Sequence, residues 1–252
     1  MRAYSVVFLL YVVGWGYGLA GALAYLSRPT QTESHVSAAG AFVDSALVLG
    51  TDVGVLALVF CIARMGGLGA ADLGLNLPAD ERSRWRDLDI VLLYWASLVA
   101  AGLVANVLGG GQYPFARGTW AALPAVLLAL GAGPTEELAL LALPVVLLRQ
   151  AREPVWRVAL VLVSVRLSFH IYYGIGVLGL SVWAVVVLAL FLRTGRALPL
   201  IVAHSLFDVV LTIGHFFPGT DALLGLAILL AIGLGLVRLG VRTVQGVRLM
   251  RG

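Results

Sequence analysis

The chain has 252 residues, of which 61% are hydrophobic and only 12% are charged, and its mean hydropathy is +0.99. A soluble domain of this size would need far more charge to cover its surface, so the composition excludes that class. The formal net charge is +4, yet no basic run indicates nucleic-acid binding. The single cysteine, Cys61, excludes an internal disulfide and a cysteine-based zinc cluster.

Long apolar runs recur along the whole chain and predict an all-α polytopic membrane protein with a polar pocket inside the helix bundle. Between the second and third spans, residues 64–87 form the main extramembrane loop, which is amphipathic enough to lie on the lipid headgroups. The eight predicted spans are residues 3–26, 41–63, 87–108, 119–149, 155–175, 177–193, 198–217 and 221–241.

The arginines test this arrangement, because positive residues accumulate on the cytoplasmic side of a membrane protein. All 17 basic residues are arginines. With both termini in the cytoplasm, only Arg28 and Arg117 face outside and Arg166 lies within a span. The bias supports eight spans in a multi-pass protein of the cell membrane. The cytoplasmic set is Arg2, Arg64, Arg82, Arg84, Arg86, Arg149, Arg152, Arg157, Arg193, Arg196, Arg238, Arg242, Arg248 and Arg251.

Ionisable residues within the spans are few, and each is costly to bury in hydrocarbon, so they are candidate functional residues. In chain order they are Asp44 and Asp52 in the second span, Glu136 and Glu137 in the fourth, Arg166 and His170 in the fifth, and His204, Asp208 and His215 in the seventh. We have no role for Asp52. His215 lies near the outer end of its span, where a structural role is expected.

Helical spacing indicates which of these side chains can meet. His204 and Asp208 are four residues apart and share one helix face. Glu136 and Glu137 lie about 100° apart around their helix, so the two cannot point equally at one spot. Pro134 frees a backbone carbonyl one turn earlier, which can help to hold water. A glutamate can take a proton from water, and a histidine can orient that water, bind a metal or donate to an oxyanion.

These residues resemble the CPBP family of intramembrane proteases, which includes the CAAX prenyl-protein endopeptidases and the bacteriocin-processing or immunity (Abi-type) proteins. The family carries Glu-Glu-x-x-x-Arg, Phe-x-x-x-His and His-x-x-x-Asn/Asp on three separate helices. Glu136 and Glu137 match the first motif, His170 the second, and His204 with Asp208 the third. The resemblance implies an intramembrane endopeptidase in which Glu136 and His170 activate water and His204 with Asp208 stabilises the oxyanion.

Two positions depart from the family pattern. Leu141 stands where the first motif has its arginine, and Arg166 stands where the second has its phenylalanine. We hypothesise that Arg166 supplies from the fifth span the guanidinium that the family supplies from the fourth. It would then neutralise Glu137 or Glu136 bidentately, as a supporting residue of the site.

The domain prediction is one transmembrane domain over residues 1–252. The first 118 residues form a variable part, residues 119–217 the family core with the three motifs, and residues 218–252 the last helix and a cytoplasmic tail. The expected partners are the lipid bilayer and a membrane-associated peptide or protein substrate. The sequence does not give the oligomeric state.

The mechanism has a metal-bound and a metal-free version. Asp208, when ionised, has only acceptors and cannot donate to an oxyanion. It can instead orient His204 or bind a metal, and the second use slightly favours a metalloprotease. Zn²⁺ is then the default ion, with Glu136, His170, His204 and Asp208 as candidate ligands. The alternative functions are a non-catalytic scaffold or immunity-like protein of the same fold, and a proton-coupled transporter. The transporter would show repeated halves, which the sequence lacks.

Overall fold

The computed structural model describes residues 3–27, 38–109, 122–217 and 219–220, together with scattered positions between 225 and 237. The described residues form helices only. They are α1 (Ala3–Ser27), α2 (Ala38–Met65), α3 (Glu81–Val107), α4 (Ala122–Glu137), a π-helical turn (Leu138–Ala142), α5 (Leu143–Gln150), α6 (Val155–Ser168), a 3₁₀ turn (Ile171–Gly176), α7 (Val177–Thr194) and α8 (Leu198–Phe216).

Six of the described helical segments are long and apolar enough to cross a membrane. They confirm the prediction of an all-α polytopic membrane protein, although not the count of eight. Large apolar side chains such as Phe8, Leu47 and Leu160 are 61 to 68% exposed, as expected where helices face lipid rather than water. The six segments are Ala3–Ala24, Ser45–Met65, Glu81–Val107, Ala122–Gln150, Ile171–Thr194 and Leu198–Phe216.

The predicted fifth span, residues 155–175, is corrected by the structure. Helix α6 ends at Ser168 and has 14 residues, about 21 Å of helix, which is short of a bilayer core. The 3₁₀ turn that follows contains Gly174 with φ 59° and ψ −139°, a conformation that suits glycine and ends regular helix. The predicted eighth span, residues 221–241, lies almost entirely outside the described residues.

Helices α4 and α8 make a close contact at Gly133. A Cβ atom built there would meet Ser205 Oγ and would lie 2.6 Å from the carbonyl oxygen of Ile201. Pro134 has no N–H for the carbonyl of Leu130, and the Ser205 hydroxyl donates to that carbonyl at 2.9 Å. The carbonyl that we expected to hold water therefore bonds to the neighbouring helix.

Three inter-helix connections meet at one end of the bundle. The carbonyl of Gly74, between α2 and α3, accepts hydrogen bonds from the amides of Ala197 and Leu198 at 3.0 and 3.1 Å. Arg196 forms an ion pair with Asp87 at the start of α3. A shallow cavity on the same end joins Asp72 to Arg149, beside the α5–α6 connection. The connections after α2, α5 and α7 therefore lie on the same side, as the arginine pattern requires.

Candidate active site

Glu137 is the centre of a buried polar cluster built from four helices. Its side chain is 0% exposed. Its Oε1 atom lies 2.8 Å from Nδ1 of His204 on α8 and 3.1 Å from the hydroxyl of Tyr94 on α3. The same oxygen lies 3.1 Å from Nη2 of Arg166 on α6. A carboxylate buried this deeply needs such partners, since isolated charge is costly in a low-dielectric interior.

Arg166 lies inside the cluster and is 3% exposed. Its guanidinium carbon is 4.6 Å from the ring centroid of Trp183 on α7, a cation–π contact. Leu141, at the position of the family arginine, is buried in the π-helical turn directly after α4. The arginine beside the glutamate pair thus comes from α6 through a single nitrogen contact, not the bidentate one that we expected.

His204 lies between two carboxylates. Its Nδ1 donates to Glu137, and its Nε2 lies 3.4 Å from Oδ2 of Asp208, one turn further along α8. The aromatic rings of Tyr94 and Trp183 stand 5.8 and 5.7 Å from the imidazole, centroid to centroid. Asp208 is the more accessible of the two carboxylates, with a side chain that is 34% exposed.

His170 lies just beyond the end of α6, and its ring orientation fixes its tautomer. Nδ1 is 2.9 Å from the backbone carbonyl of Arg166. A carbonyl oxygen can only accept a hydrogen bond, so Nδ1 carries the proton and Nε2 has a free lone pair. The ring is 6.4 Å from that of Trp183, which also contacts His204, so one indole lies beside both histidines.

Glu136 differs from its neighbour, because a side chain about 100° away around the helix reaches a different space. Its Oε2 atom is buried and has no hydrogen-bond partner among the described residues. The structure therefore gives the two glutamates different surroundings: Oε1 of Glu137 is held by three partners, whereas Oε2 of Glu136 is free to bind water or substrate. Oε2 of Glu137 is likewise buried without a hydrogen-bond partner among the described residues.

The proposed metal ligands do not form a ready metal site. Both ring nitrogens of His204 face carboxylates, and His170 has only Nε2 available. Within the described part of the chain, no group of three or more His, Cys, Asp or Glu residues is arranged to hold a metal ion. A metal at Glu136, His170, His204 and Asp208 would require His204 to give up a carboxylate partner.

Two residues of the cluster were not predicted as site residues. Tyr94 escaped the sequence analysis because it lies in the part with little family resemblance, although a tyrosine buried among aliphatic residues needs a partner for its hydroxyl. Trp183 was missed because a tryptophan is an ordinary residue of a membrane helix. It is 3% exposed and contacts both histidines and Arg166.

The remaining intramembrane ionisable residues lie apart from the cluster. Asp52 lies against Gly131 of α4, where its Oδ2 would be 3.0 Å from an added Cβ atom, and the hydroxyl of Thr135 donates to the Gly131 carbonyl. His215 is exposed at the end of α8. The side chain of Asp44 lies outside the described residues.

Residues 118–210 match the family model described as type II CAAX prenyl endopeptidase, Rce1-like. The match covers the region that carries all three motifs and confirms the resemblance to the CPBP intramembrane proteases. At the level of the family it supports protease activity in a membrane protein. No curated protein and no solved structure has a significant match to the chain.

Proposed function

We propose that this protein is an intramembrane endopeptidase that hydrolyses a peptide bond of a membrane-associated peptide or protein. The observation that carries the proposal is the contrast within the glutamate pair. Oε1 of Glu137 is held by Arg166, Tyr94 and His204, whereas Oε2 of Glu136 is buried without a hydrogen-bond partner among the described residues, as is Oε2 of Glu137. An anchored carboxylate beside a free one suits hydrolysis. The anchored carboxylate keeps the neighbouring side chains in place, and the free carboxylate can accept a proton from water.

In the proposed reaction, Glu136 accepts a proton from a water molecule, and the resulting hydroxide attacks the carbonyl carbon of the scissile bond. The free lone pair on Nε2 of His170 can accept a hydrogen bond from the same water and orient it. The C–N bond then breaks, and the proton held by Glu136 passes to the leaving amine. The products are an amine and a carboxylic acid, which loses its remaining proton to solvent.

His204 is the group that we propose for the oxyanion. With Nδ1–H directed at Glu137, a protonated ring presents Nε2–H, whose present contact with Asp208 is long at 3.4 Å. A substrate oxyanion can replace that contact and gain a charge-assisted hydrogen bond. Asp208 would favour the protonated ring. This version needs no metal, and the zinc version is its competitor.

The test is a cleavage assay on the full chain reconstituted in lipid, with a library of membrane-anchored peptides and product identification by mass spectrometry. We expect Glu136→Gln to reduce cleavage by at least about 100-fold, because it removes the general base. Glu153→Gln, in an exposed ion pair, is the matched control and should cleave normally. Thermal unfolding of each variant checks that the fold is retained.

Three outcomes would contradict parts of the proposal. Full activity in Glu136→Gln would remove Glu136 from the mechanism. An inactive wild-type protein across the library would favour the non-catalytic scaffold. Near-stoichiometric zinc in the purified protein, lost in His204→Ala, would replace the metal-free mechanism by a metal-bound one.

The presence of the family's motif residues further supports a catalytically active site rather than that of a pseudo-protease. Both glutamates, both histidines and Asp208 are present. The family arginine is absent at Leu141, but a guanidinium still reaches Glu137 at 3.1 Å. We also propose, from the arginine pattern, that both termini face the cytoplasm. The connections after α2, α5 and α7, which form the arginine-rich end of the bundle, would face the same side.

A further inference from the structure

A second polar feature lies at the arginine-rich end of the bundle, outside the candidate active site. It is a cavity of about 350 Å³ between the start of α3 and the α7–α8 connection. Three arginines and one aspartate line it, so its charge is positive. The charged and polar lining residues are Asn76, Asp80, Arg82, Ser83, Arg86 and Arg196.

Two of the charged side chains that line this cavity already have partners within the protein. Arg196 binds both carboxylate oxygens of Asp87 and donates to the carbonyl of Asn76 at 3.1 Å. The Asp80 carboxylate accepts the amide N–H of Ser83 at 2.7 Å, as the N-cap of α3. These contacts leave the cavity with a fixed shape between two chain segments that are far apart in sequence.

Arg82 and Arg86 supply the uncompensated charge. They are four residues apart on α3, so they lie on one helix face, and both are exposed. Both act electrostatically on Asp80, whose carboxylate accepts the amide N–H of Ser83. Cations at a helix start oppose the helix dipole, so an anion bound between them would relieve an unfavourable arrangement.

The surroundings of the cavity place it at the level of lipid headgroups. Leu77, on its rim, is 78% exposed, and Trp85, on the adjoining face of α3, is 40% exposed. Exposed aliphatic and tryptophan side chains beside arginines are typical of the membrane interface. A water-soluble anion would have no use for the apolar side chains at the rim. The acyl chains of a phospholipid would pack against them.

We propose that this arginine cleft binds the phosphate of an anionic phospholipid headgroup. The recognised chemistry is a phosphate group, held by the guanidinium groups of Arg82 and Arg86, with the acyl chains directed along Leu77. The site is independent of the proposed peptidase activity. Since α3 also carries Tyr94, about 12 Å further along the helix, a bound lipid would fix the helix that contacts Glu137.

The experiment measures thermal unfolding of the full chain in neutral detergent micelles that contain either phosphatidylglycerol or phosphatidylcholine. We expect phosphatidylglycerol to raise the wild-type Tm by about 5 °C relative to phosphatidylcholine. The double variant Arg82→Gln, Arg86→Gln should lose most of this difference. The matched control, Arg64→Gln with Arg84→Gln, removes two exposed arginines that do not line the cleft and should keep it.

A further arm adds inorganic phosphate to micelles of phosphatidylcholine and should give no comparable shift. If both double variants lose the Tm difference equally, the difference comes from general surface charge, and the proposed binding in the cleft is overturned. Stabilisation by inorganic phosphate without stabilisation by phosphatidylglycerol would assign the cleft to a soluble phosphate. An unchanged wild-type Tm in every lipid would overturn the proposal altogether.

Discussion

The Glu137 carboxylate lies fully buried in a segment long enough to span the membrane, so its charge has to be balanced inside the protein. The balance comes from the guanidinium of Arg166, which is itself 3% exposed and rests against Trp183. Removing one member of such a pair leaves the other as a buried, uncompensated charge. The pair is therefore better tested by removing its members together than one at a time.

Replacing Arg166 by methionine should lower the free energy of unfolding by about 3–5 kcal/mol, because Glu137 keeps its charge without a counter-ion. Adding Glu137→Gln to this variant should recover part of the loss, and a double-mutant cycle of unfolding measurements gives the coupling. The exposed pair of Arg157 and Glu153 is the control, and Arg157→Met should change stability by less than about 1 kcal/mol.

A second variant tests whether the guanidinium can come from the family position. Arg166→Leu alone should lose activity, and Leu141→Arg added to it should restore part of that activity, since Leu141 lies buried just beyond Glu137. Cleavage assays and unfolding of the single and double variants provide the measurement. No recovery in the double variant would show that α6 is the only workable source.

Sequence reasoning identified the residues of this cluster whose types are rare in a membrane span, and it failed for those whose types are ordinary there. Glutamate, histidine and arginine within apolar runs stand out because burying an ionisable side chain in the membrane costs free energy. Tyr94 and Trp183 do not, because aromatic residues are common in membrane helices. Only the approach of α3 to α4, across 43 residues of sequence, shows that the Tyr94 hydroxyl serves Glu137.

At the scale of elements, the distance between α4 and α8 decides whether Glu137 and His204 can meet. Gly133 permits the close approach, and the hydroxyl of Ser205 occupies the carbonyl that Pro134 leaves free. The hydrogen bond of 2.8 Å between Glu137 and His204 lies one turn further along the same helix contact. The geometry of the site thus depends on a residue that has no side chain.

Gly133→Ala should destabilise the protein by about 1–3 kcal/mol and reduce cleavage, because the added methyl group forces the two helices apart. Gly102→Ala is the matched control: it is also a glycine within a membrane helix, but a Cβ atom there meets nothing within 4 Å. Thermal unfolding and the peptide assay compare the two. Equal behaviour of both alanine variants would show that the α4–α8 contact can adjust freely.

The start of α3 is fixed by a reciprocal capping box between Asp80 and Ser83. The hydrogen bond from the amide N–H of Ser83 lowers the pKa of Asp80 below its usual value of 3.8, with smaller contributions from Arg82 and Arg86. A lowered pKa means that the carboxylate stabilises the fold fully above pH 3.8 and loses this effect as the pH falls through the lower, folded-state value.

Asp80→Ala should therefore lower Tm at neutral pH, and the difference from wild type should shrink as the pH falls below 3.8. Asp80→Asn, whose side chain can also cap a helix, should remain closer to wild type and show less pH dependence. Unfolding curves across the acidic range measure both. A difference that persists unchanged at the lowest pH would assign the effect to something other than the charge.

Element boundaries followed the apolar runs in α1, α2 and α8 but not in α6. There the apolar composition continues past Ser168, so hydropathy alone extended the span to residue 175. The helix ends earlier because the backbone of His170, with φ −97° and ψ 7°, leaves the helical conformation before the glycine-containing turn. Hydropathy records where a chain can remain in lipid, and it does not record where the backbone changes direction inside the protein.

For the whole molecule, the hydrogen bonds of Gly74 and the ion pair of Arg196 bring the connections after α2 and α7 together at one end. The cavity between Asp72 and Arg149 adds the connection after α5. Helix α8 begins at this end and crosses the membrane once, so the far end of α8 lies on the opposite side. The arginine-rich end should face the cytoplasm, because positive residues resist translocation.

Labelling of single cysteines tests this arrangement in a Cys61→Ser background. We expect Asp72→Cys and Glu153→Cys to react with a membrane-impermeant maleimide only in inverted vesicles, because both positions lie at the arginine-rich end. Thr220→Cys, just beyond α8, should react only in intact cells. Labelling of all three from one side would contradict the crossing pattern, and labelling of Asp72→Cys and Glu153→Cys from opposite sides would contradict the shared end. A complete reversal of the three would keep the fold and overturn the orientation, and with it the argument that the arginines set it.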